Sequence, residues 1–439
     1  MPDRIHSLLA ARGLWRENYT LSEINQLTRF LEEQGTFQFH VLANGIFPAS
    51  VASEYTGYSA AWVRDNVQIA HAHFAWGETA VAARCIKALA EYFRRHRQRF
   101  ENIIAGRADP ADAMQRPHIR FNGDTLSELP ERWAHAQNDA LGYFLWLYCS
   151  LAAAGHLVTH PDDGELLAAF VRYFAAIRFW NDEDSGHWEE TRKINASSIG
   201  AATAGLVALR WVLDEGRVFA WDDDAFRTAN VSRELVNQML ERSQTTLRVI
   251  LPAECVQDDP AKARRQDAAL LFLIHPLRIV QGSQADLIVE QTIAELHGDH
   301  GIRRYRGDSY WCADYKTLLR EDERTADFSD DVSSRDRLLR PGEEAQWCLF
   351  DPLLSIIFGD RFRATGDSCW LERQTRHLNR ALGQLTDDST SFPPFRCPES
   401  YTLCDGSYVP NDITPLQWSQ ALLRLSLFEM ERGMSAPWS

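Results

Sequence analysis

The sequence predicts an all-α protein in which six inner and six outer helices close into a toroid. Three observations carry this. Apolar residues recur at three- and four-residue spacing in twelve segments, and strands are hard to find. Segment 195–214 is apolar over most of its circumference, through Ile199, Ala202, Ala204, Leu206, Val207 and Leu209. A helix like that must be covered on nearly all sides, as in the inner layer of a two-layer assembly.

Taken in order, the predicted helices span 20–34, 59–76, 78–105, 136–155, 162–180, 195–214, 223–247, 262–274, 284–297, 341–359, 367–384 and 415–433. Ser22 and Asp163 are candidate caps at two starts, and Pro415 marks the start of the last helix. Glycine follows several ends, at Ala154-Gly155, Glu215-Gly216 and Arg432-Gly433. Segment 78–105 turns charged after Glu91, which suits an outer helix, and its basic run Arg94 to Arg99 reads as a wet face. With no linker and no low-complexity tract, residues 1–439 read as one domain. Two helical domains or a stack of repeats compete with that reading, but no fixed sequence period is visible.

Composition narrows the function. The chain has 439 residues, 45% of them hydrophobic, enough to bury a large core. A formal net charge of -15 argues against nucleic acid and anionic membranes as partners, because basic surface supplies that attraction. The N-terminus lacks an apolar targeting region, and no later run approaches the ~18 to 20 apolar residues of a membrane span. The expectation is therefore a cytoplasmic protein with no membrane partner. Eight scattered cysteines without C-x-x-C spacing read as reduced thiols rather than disulfides or a zinc site.

The loops are unusual. Segments 35–58, 106–135, 182–194, 298–340 and 385–414 are long and rich in Trp, Tyr, Asp, Glu, Gly and Pro, as the walls of a cleft are. The charged piece from Glu321 to Ser334 reads as a solvated loop, with a flap as the alternative. Gly186-His187-Trp188-Glu189-Glu190 places two acids beside an indole, just before Asn195-Ala196-Ser197-Ser198-Ile199-Gly200. An aromatic ring stacks on the C–H face of a sugar while an acid on its rim protonates the glycosidic oxygen. Trp62-Val63-Arg64-Asp65-Asn66 opens one helix, where a structural ion pair is the simpler reading. Trp133 to Asp139 opens another, where Asp139 or Asn138 can simply cap it. Gly301 to Asp308 is a cationic turn, and Cys397-Pro398-Glu399-Ser400-Tyr401 precedes Pro415-Leu416-Gln417-Trp418-Ser419-Gln420.

These clusters, with Gly45-Ile46-Phe47-Pro48-Ala49-Ser50, resemble the glucoamylase family, glycoside hydrolase family 15. They resemble still more its branch shared with the N-terminal domain of phosphorylase kinase alpha and beta subunits. The likeness runs in order from about residue 45 to 433 and implies the (α/α)6 toroid. It implies a general acid at Glu189, between the fifth and sixth helices, and a general base at Glu399, between the eleventh and twelfth. It implies sugar binding by Trp62, Arg64, Asp65, Glu190 and Arg304, and stacking by Trp133, Trp188 and Trp418. The short Pro398-Glu399-Ser400-Tyr401 loop departs from the longer, Gly-rich loop of the classical enzymes.

The implied activity is inverting, exo-acting hydrolysis of short α-glucosides that releases β-glucose, with a small oligosaccharide as partner and no metal or cofactor. Glu189 should then be held protonated by the apolar side of Trp188 and by an ionised Glu190. The alternative is a sugar-binding or regulatory protein that keeps the toroid without turnover. A phosphorolytic enzyme would need an anion pocket where Glu399 stands. Linkage specificity and oligomeric state are not legible in the sequence.

Overall fold

A computed structural model describes residues 5–50, 60–324, 326–330, 332–340 and 342–435, without the side chains of Asp322 and Val332. The extreme N-terminus, the end of loop 35–58, the predicted helix starts at Ser59 and Pro341, and Asp331 of the charged segment lie outside the described residues.

Eleven α-helices and one 3-10 turn make the two layers: α1 (Leu21–Glu33), α2 (Val63–Ala75), α3 (Thr79–Arg95), α4 (Asn138–Ala153), α5 (Asp163–Ile177), α6 (Ala196–Glu215), α7 (Arg233–Ile250), the 3-10 turn Ala268–Leu273, α8 (Gly282–Leu296), α9 (Phe350–Thr365), α10 (Ser368–Gly383) and α11 (Gln417–Ser435). The inner layer closes on itself. Helix α2 packs on α4, α4 on α6, α6 on the 3-10 turn, that turn on α9, α9 on α11, and α11 back on α2. Outside, α1 lies on α11, α3 on α2, α5 on α3, α7 on α6, α8 on the 3-10 turn and α10 on α9. This is the predicted all-α (α/α)6 toroid.

Helix α6 is long and apolar enough, by length and composition, to cross a membrane, contrary to the sequence reading. Here it is an inner-ring helix with 78% of its apolar window buried. It approaches α4 so closely that a Cβ on Gly142 would stand 2.4 Å from the backbone of Ala201. Two glycines, Gly142 and Gly205, make that approach, since a Cβ on Gly205 would meet the Gly142 carbonyl oxygen at 2.8 Å.

Several predicted elements change. Segment 78–105 divides into α3 and a short helix Gln98–Ile104, and 223–247 divides at Asn230, whose φ of 55° is left-handed. Predicted helix 262–274 shrinks to one 3-10 turn because Arg264 is bridged to Cys255 on one side and Pro276 stops it on the other. Helix α9 starts at Phe350, since Gln346–Trp347 is a strand. Thr20, not Ser22, caps α1, through a capping box with Glu23. Asp163 accepts from Tyr148 Oη at 2.6 Å instead of capping α5.

Two small sheets absent from the sequence reading sit among the loops. One joins Ala61–Trp62 (β1), Arg120–Asn122 (β2) and Ser127–Glu128 (β3). The other joins Gln346–Trp347 (β4), Ser400–Cys404 (β5) and Ser407–Pro410 (β6), all antiparallel. Asp405-Gly406, both at positive φ, form the two-residue turn of the β5–β6 hairpin. None of the eight cysteines is in a disulfide.

Candidate active site

The N-terminal ends of the inner helices converge on one cavity. Trp62, Arg64 and Asp65 reach it from the start of α2, Glu189 from the loop before α6, and Leu416 and Trp418 from the start of α11. Glu399, Trp133, Trp188 and Arg304 complete the predicted residues that line it. Glu189 falls between the fifth and sixth of the twelve elements, and Glu399 between the eleventh and twelfth.

Glu189 is held in an unusual backbone state. Its φ of 59° and ψ of 43° are left-handed, uncommon for a residue with a Cβ and a recurrent mark of functional loops. What fixes the loop is the Asn195 side chain, whose Nδ2 donates to the Asp184 carbonyl at 2.9 Å and carboxylate at 2.8 Å. A Cβ on Gly186 would press on that amide at 3.0 Å. Ser197, from the same N-A-S-S run, donates to Glu254 through its hydroxyl. The run is therefore the clamp that shapes the Glu189 loop.

About a fifth of the Glu189 side chain, 19%, is exposed, and Arg64 Nη2 stands 3.4 Å from its Oε1. Burial holds the Glu189 carboxyl above the usual carboxylate range, opposed by the charge of Arg64 and a hydrogen bond from Gln137. Glu190, the ionised neighbour expected from the sequence to raise it, is not among the leading causes. Arg64 is not paired with Asp65 either: its Nη1 lies 2.5 Å from Oδ2 of Asp139, a wholly buried residue that the sequence reading left as a possible cap. Burial pushes Asp65 up to about 7, with the Arg64 charge opposing. His187, in turn, is hydrogen-bonded to Tyr143 at 2.9 Å and lies 3.6 Å from Asp139.

Glu399, which lines the same cavity, is buried, and its Oε2 accepts from Asn411 Nδ2 at 2.7 Å. Its backbone is fixed on both sides, to Cys348 N at 3.0 Å and from its own N to the Ile413 carbonyl at 3.0 Å. The β4–β5 pairing thus sets Trp347 beside the Glu399 loop, and the Ile302 to Trp347 bridge brings in the turn that carries Arg304.

Arg304 sits among three rings, 5.0 Å from Trp188, 5.1 Å from Tyr310 and 4.6 Å from Trp347. Asp308 grips it from behind with two contacts of 2.6 Å. Trp188 is fixed by its indole N–H, which donates to Asp267 at 2.8 Å. Trp62 and Trp133 meet edge to face at 6.0 Å, with Arg120 over both. The G-I-F-P-A-S and P-L-Q-W-S-Q runs join each other, Ser50 Oγ donating to the Pro415 carbonyl at 2.8 Å and Gln417 Nε2 to the Pro48 carbonyl. Both are fasteners that hold the last inner helix to the first.

Glu190 corrects the sequence reading. It does not line this cavity but a second one, together with Lys193, Arg264 and Tyr305. Its Oε2 is 2.8 Å from Arg264, and its Oε1 accepts from Tyr305 Oη and lies 3.5 Å from Arg335 and 3.8 Å from Arg304. Burial alone would raise it, but Arg264, Arg304, Lys193 and Arg335 hold it well below the usual range. Glu190 therefore anchors cations instead of facing a sugar in the first cavity. The charged segment is solvated in part, with Glu321, Ala326, Asp330 and Ser333 exposed, but Ala326, Asp327 and Phe328 also line the first cavity, as does Arg335 just beyond it, and Arg132 pairs with Asp330 to tie the segment to the Trp133 loop.

The family model for glycosyl hydrolases family 15 matches residues 35–217, which carry Trp62, Arg64, Trp133 and Glu189. The likeness is to glycosyl hydrolases family 15. A curated relative, a probable phosphorylase b kinase regulatory subunit alpha of Caenorhabditis elegans, is 26% identical over 400 residues, covering 82% of this chain. The chain spans 30% of that relative's length. Among solved structures, a wild-type glycosidase superposes with a TM-score of 0.60 at 22% identity, over 93% of this chain and 97% of that one. A bacterial glucoamylase complexed with acarbose gives a TM-score of 0.58 at 15% identity, over 89% of this chain and 53% of the other. Both are likenesses of fold: what they show of this chain is the (α/α)6 toroid that glucoamylase structures share.

Proposed function

We propose that the chain is an inverting, exo-acting α-glucoside hydrolase that releases β-glucose from short α-linked oligosaccharides. The observation that carries this is the meeting of two acidic side chains, Glu189 and Glu399, in one cavity with Trp62, Trp133 and Trp418. Glu189 protonates the glycosidic oxygen, the task its raised proton affinity suits. Glu399, held by Asn411, takes a proton from the attacking water. Arg64, Asp65 and Arg304 hold the sugar hydroxyls. In an inverting enzyme the two carboxyl groups stand ~6.5 to 9.5 Å apart, leaving room for that water.

Glu189→Gln and Glu399→Gln test the assignment. Each should lower kcat by about 100-fold or more with unchanged circular dichroism. Hydrolysis at the wild-type rate in either variant contradicts the role given to that residue. A second reading is favoured by the 26% identity to a kinase regulatory subunit: a sugar-binding regulator without turnover. Glucose binding with no hydrolysis of any α-glucoside would support that reading.

A further inference from the structure

The second cavity lies behind Glu190. Four cations, Lys193, Arg264, Arg265 and Arg306, share its wall with two carboxylates, Glu190 and Asp336, in a chain whose net charge is -15. The acceptors there are already engaged. Glu190 accepts from Tyr305 and Arg264, and Asp336 accepts from Ser309 Oγ at 2.6 Å.

The donors are not. Lys193 is 6% exposed at its side chain, and of its three ammonium protons one reaches the Thr191 carbonyl, at 3.1 Å, while Glu190 stands off at 4.0 Å. Arg264 spends two of its five N–H groups, on Glu190 and Asp267, and its guanidinium lies 3.3 Å over the Tyr305 ring. Arg265 makes no side-chain hydrogen bond or ion pair among the described residues, and the side chain of Gln266 is likewise without a hydrogen-bond partner there. A buried ammonium group with protons to spare is costly unless something completes its shell. The missing partner must be rich in acceptors and negatively charged.

We propose that this cavity binds a tetrahedral oxyanion, either free phosphate or the phosphoryl group of a small metabolite, through Lys193, Arg264 and Arg265. Such an anion matches planar guanidinium donors and a compact ammonium charge. The site is distinct from Glu399, so it is no phosphorolytic replacement for the base. It shares Glu190 with Arg304 and Arg335, two residues that line the first cavity, and so an occupant adjoins the sugar site's cationic wall. The proposal stands whether or not the chain turns over a glucoside.

Isothermal titration calorimetry of the full chain at matched ionic strength tests it, with inorganic phosphate and with glucose 6-phosphate as probes. Saturable binding of at least one probe is expected, weakened about tenfold in Lys193→Gln and in Arg265→Gln. Arg217→Gln, at an exposed position away from the cavity, should bind as the wild type does. Tighter binding of the sugar phosphate identifies a phosphorylated metabolite, and equal binding identifies free phosphate. Because Arg265 is exposed, its variant should keep the fold even if Lys193→Gln does not. No saturable heat for either probe up to roughly 10 mM overturns the proposal, as does unchanged affinity in Arg265→Gln.

Discussion

Asp139 holds Arg64 at 2.5 Å, and the other end of that guanidinium stands 3.4 Å from Glu189. The buried Asp139 therefore decides how much of the arginine charge the candidate acid feels. Burial would raise Asp139, but the Arg64 charge holds it low, so it stays ionised at neutral pH. In Asp139→Asn the guanidinium charge is left to Glu189 and Asp65, and the proton affinity of Glu189 should drop. The basic limb of the kcat/KM profile should move to lower pH, and unfolding in urea should show a loss of about 3 kcal/mol or more, the cost of breaking a buried pair. An unmoved basic limb contradicts the link.

Glu190→Gln should act on stability. The substitution leaves Arg264, Arg304, Lys193 and Arg335 short of their shared counter-charge. A loss of about 3 to 5 kcal/mol in the urea unfolding free energy is expected. Full stability combined with loss of sugar affinity alone would restore the direct sugar contact implied by the resemblance.

Asp65 predicts a pH trend. Its folded pKa of about 7 lies above the usual value of ~3.9, so the folded chain binds the extra proton. That contribution is fully present below about pH 4 and is lost as pH rises through about 7. Buried Asp184, also pushed up to about 7 by burial, acts in the same direction. Between pH 5 and 8, Asp65→Asn should lose less stability than the wild type in urea titrations. Equal losses would contradict the elevated pKa of Asp65.

Gly142→Ala should cripple the ring. The added methyl has no room at 2.4 Å from the Ala201 backbone, and α4 and α6 are both inner helices. Overpacking typically costs about 1 to 3 kcal/mol, and a clash with backbone belongs at the upper end or beyond. The midpoint of urea unfolding reports it, and a variant as stable as the wild type contradicts the close approach.

Helices were legible because burial imposes a 3.6-residue rhythm, and α6 showed its inner position through apolar residues on all sides. The breaks were less legible. Nothing in the apolar spacing around Asn230 records its left-handed φ, and the short inner turn at Ala268 depends on Arg264 pairing with a distant Cys255. The β5–β6 hairpin was readable, since Asp405-Gly406 between alternating residues is a strong two-residue turn signal. Cavity-lining residues came through where an acid adjoined an aromatic, as at Trp188-Glu189. Tyr310, Trp347 and Arg335 did not, because each joins the cavity by contacts over long sequence separations, and Asp139 did not because it acts from behind the cavity wall through Arg64. Arg335 was further hidden by following directly on a charged run that reads as solvent-exposed, although it packs near the Tyr310 and Phe328 rings at 5.6 and 5.4 Å.

The anomeric form of the first product tests the central claim most directly. Incubating the protein with maltose and other α-glucosides, and following the anomeric protons by NMR from the earliest minutes, should show β-glucose appearing before mutarotation equilibrates it. Initial α-glucose would contradict inversion by Glu189 and Glu399, and no glucose from any substrate would contradict the hydrolase itself.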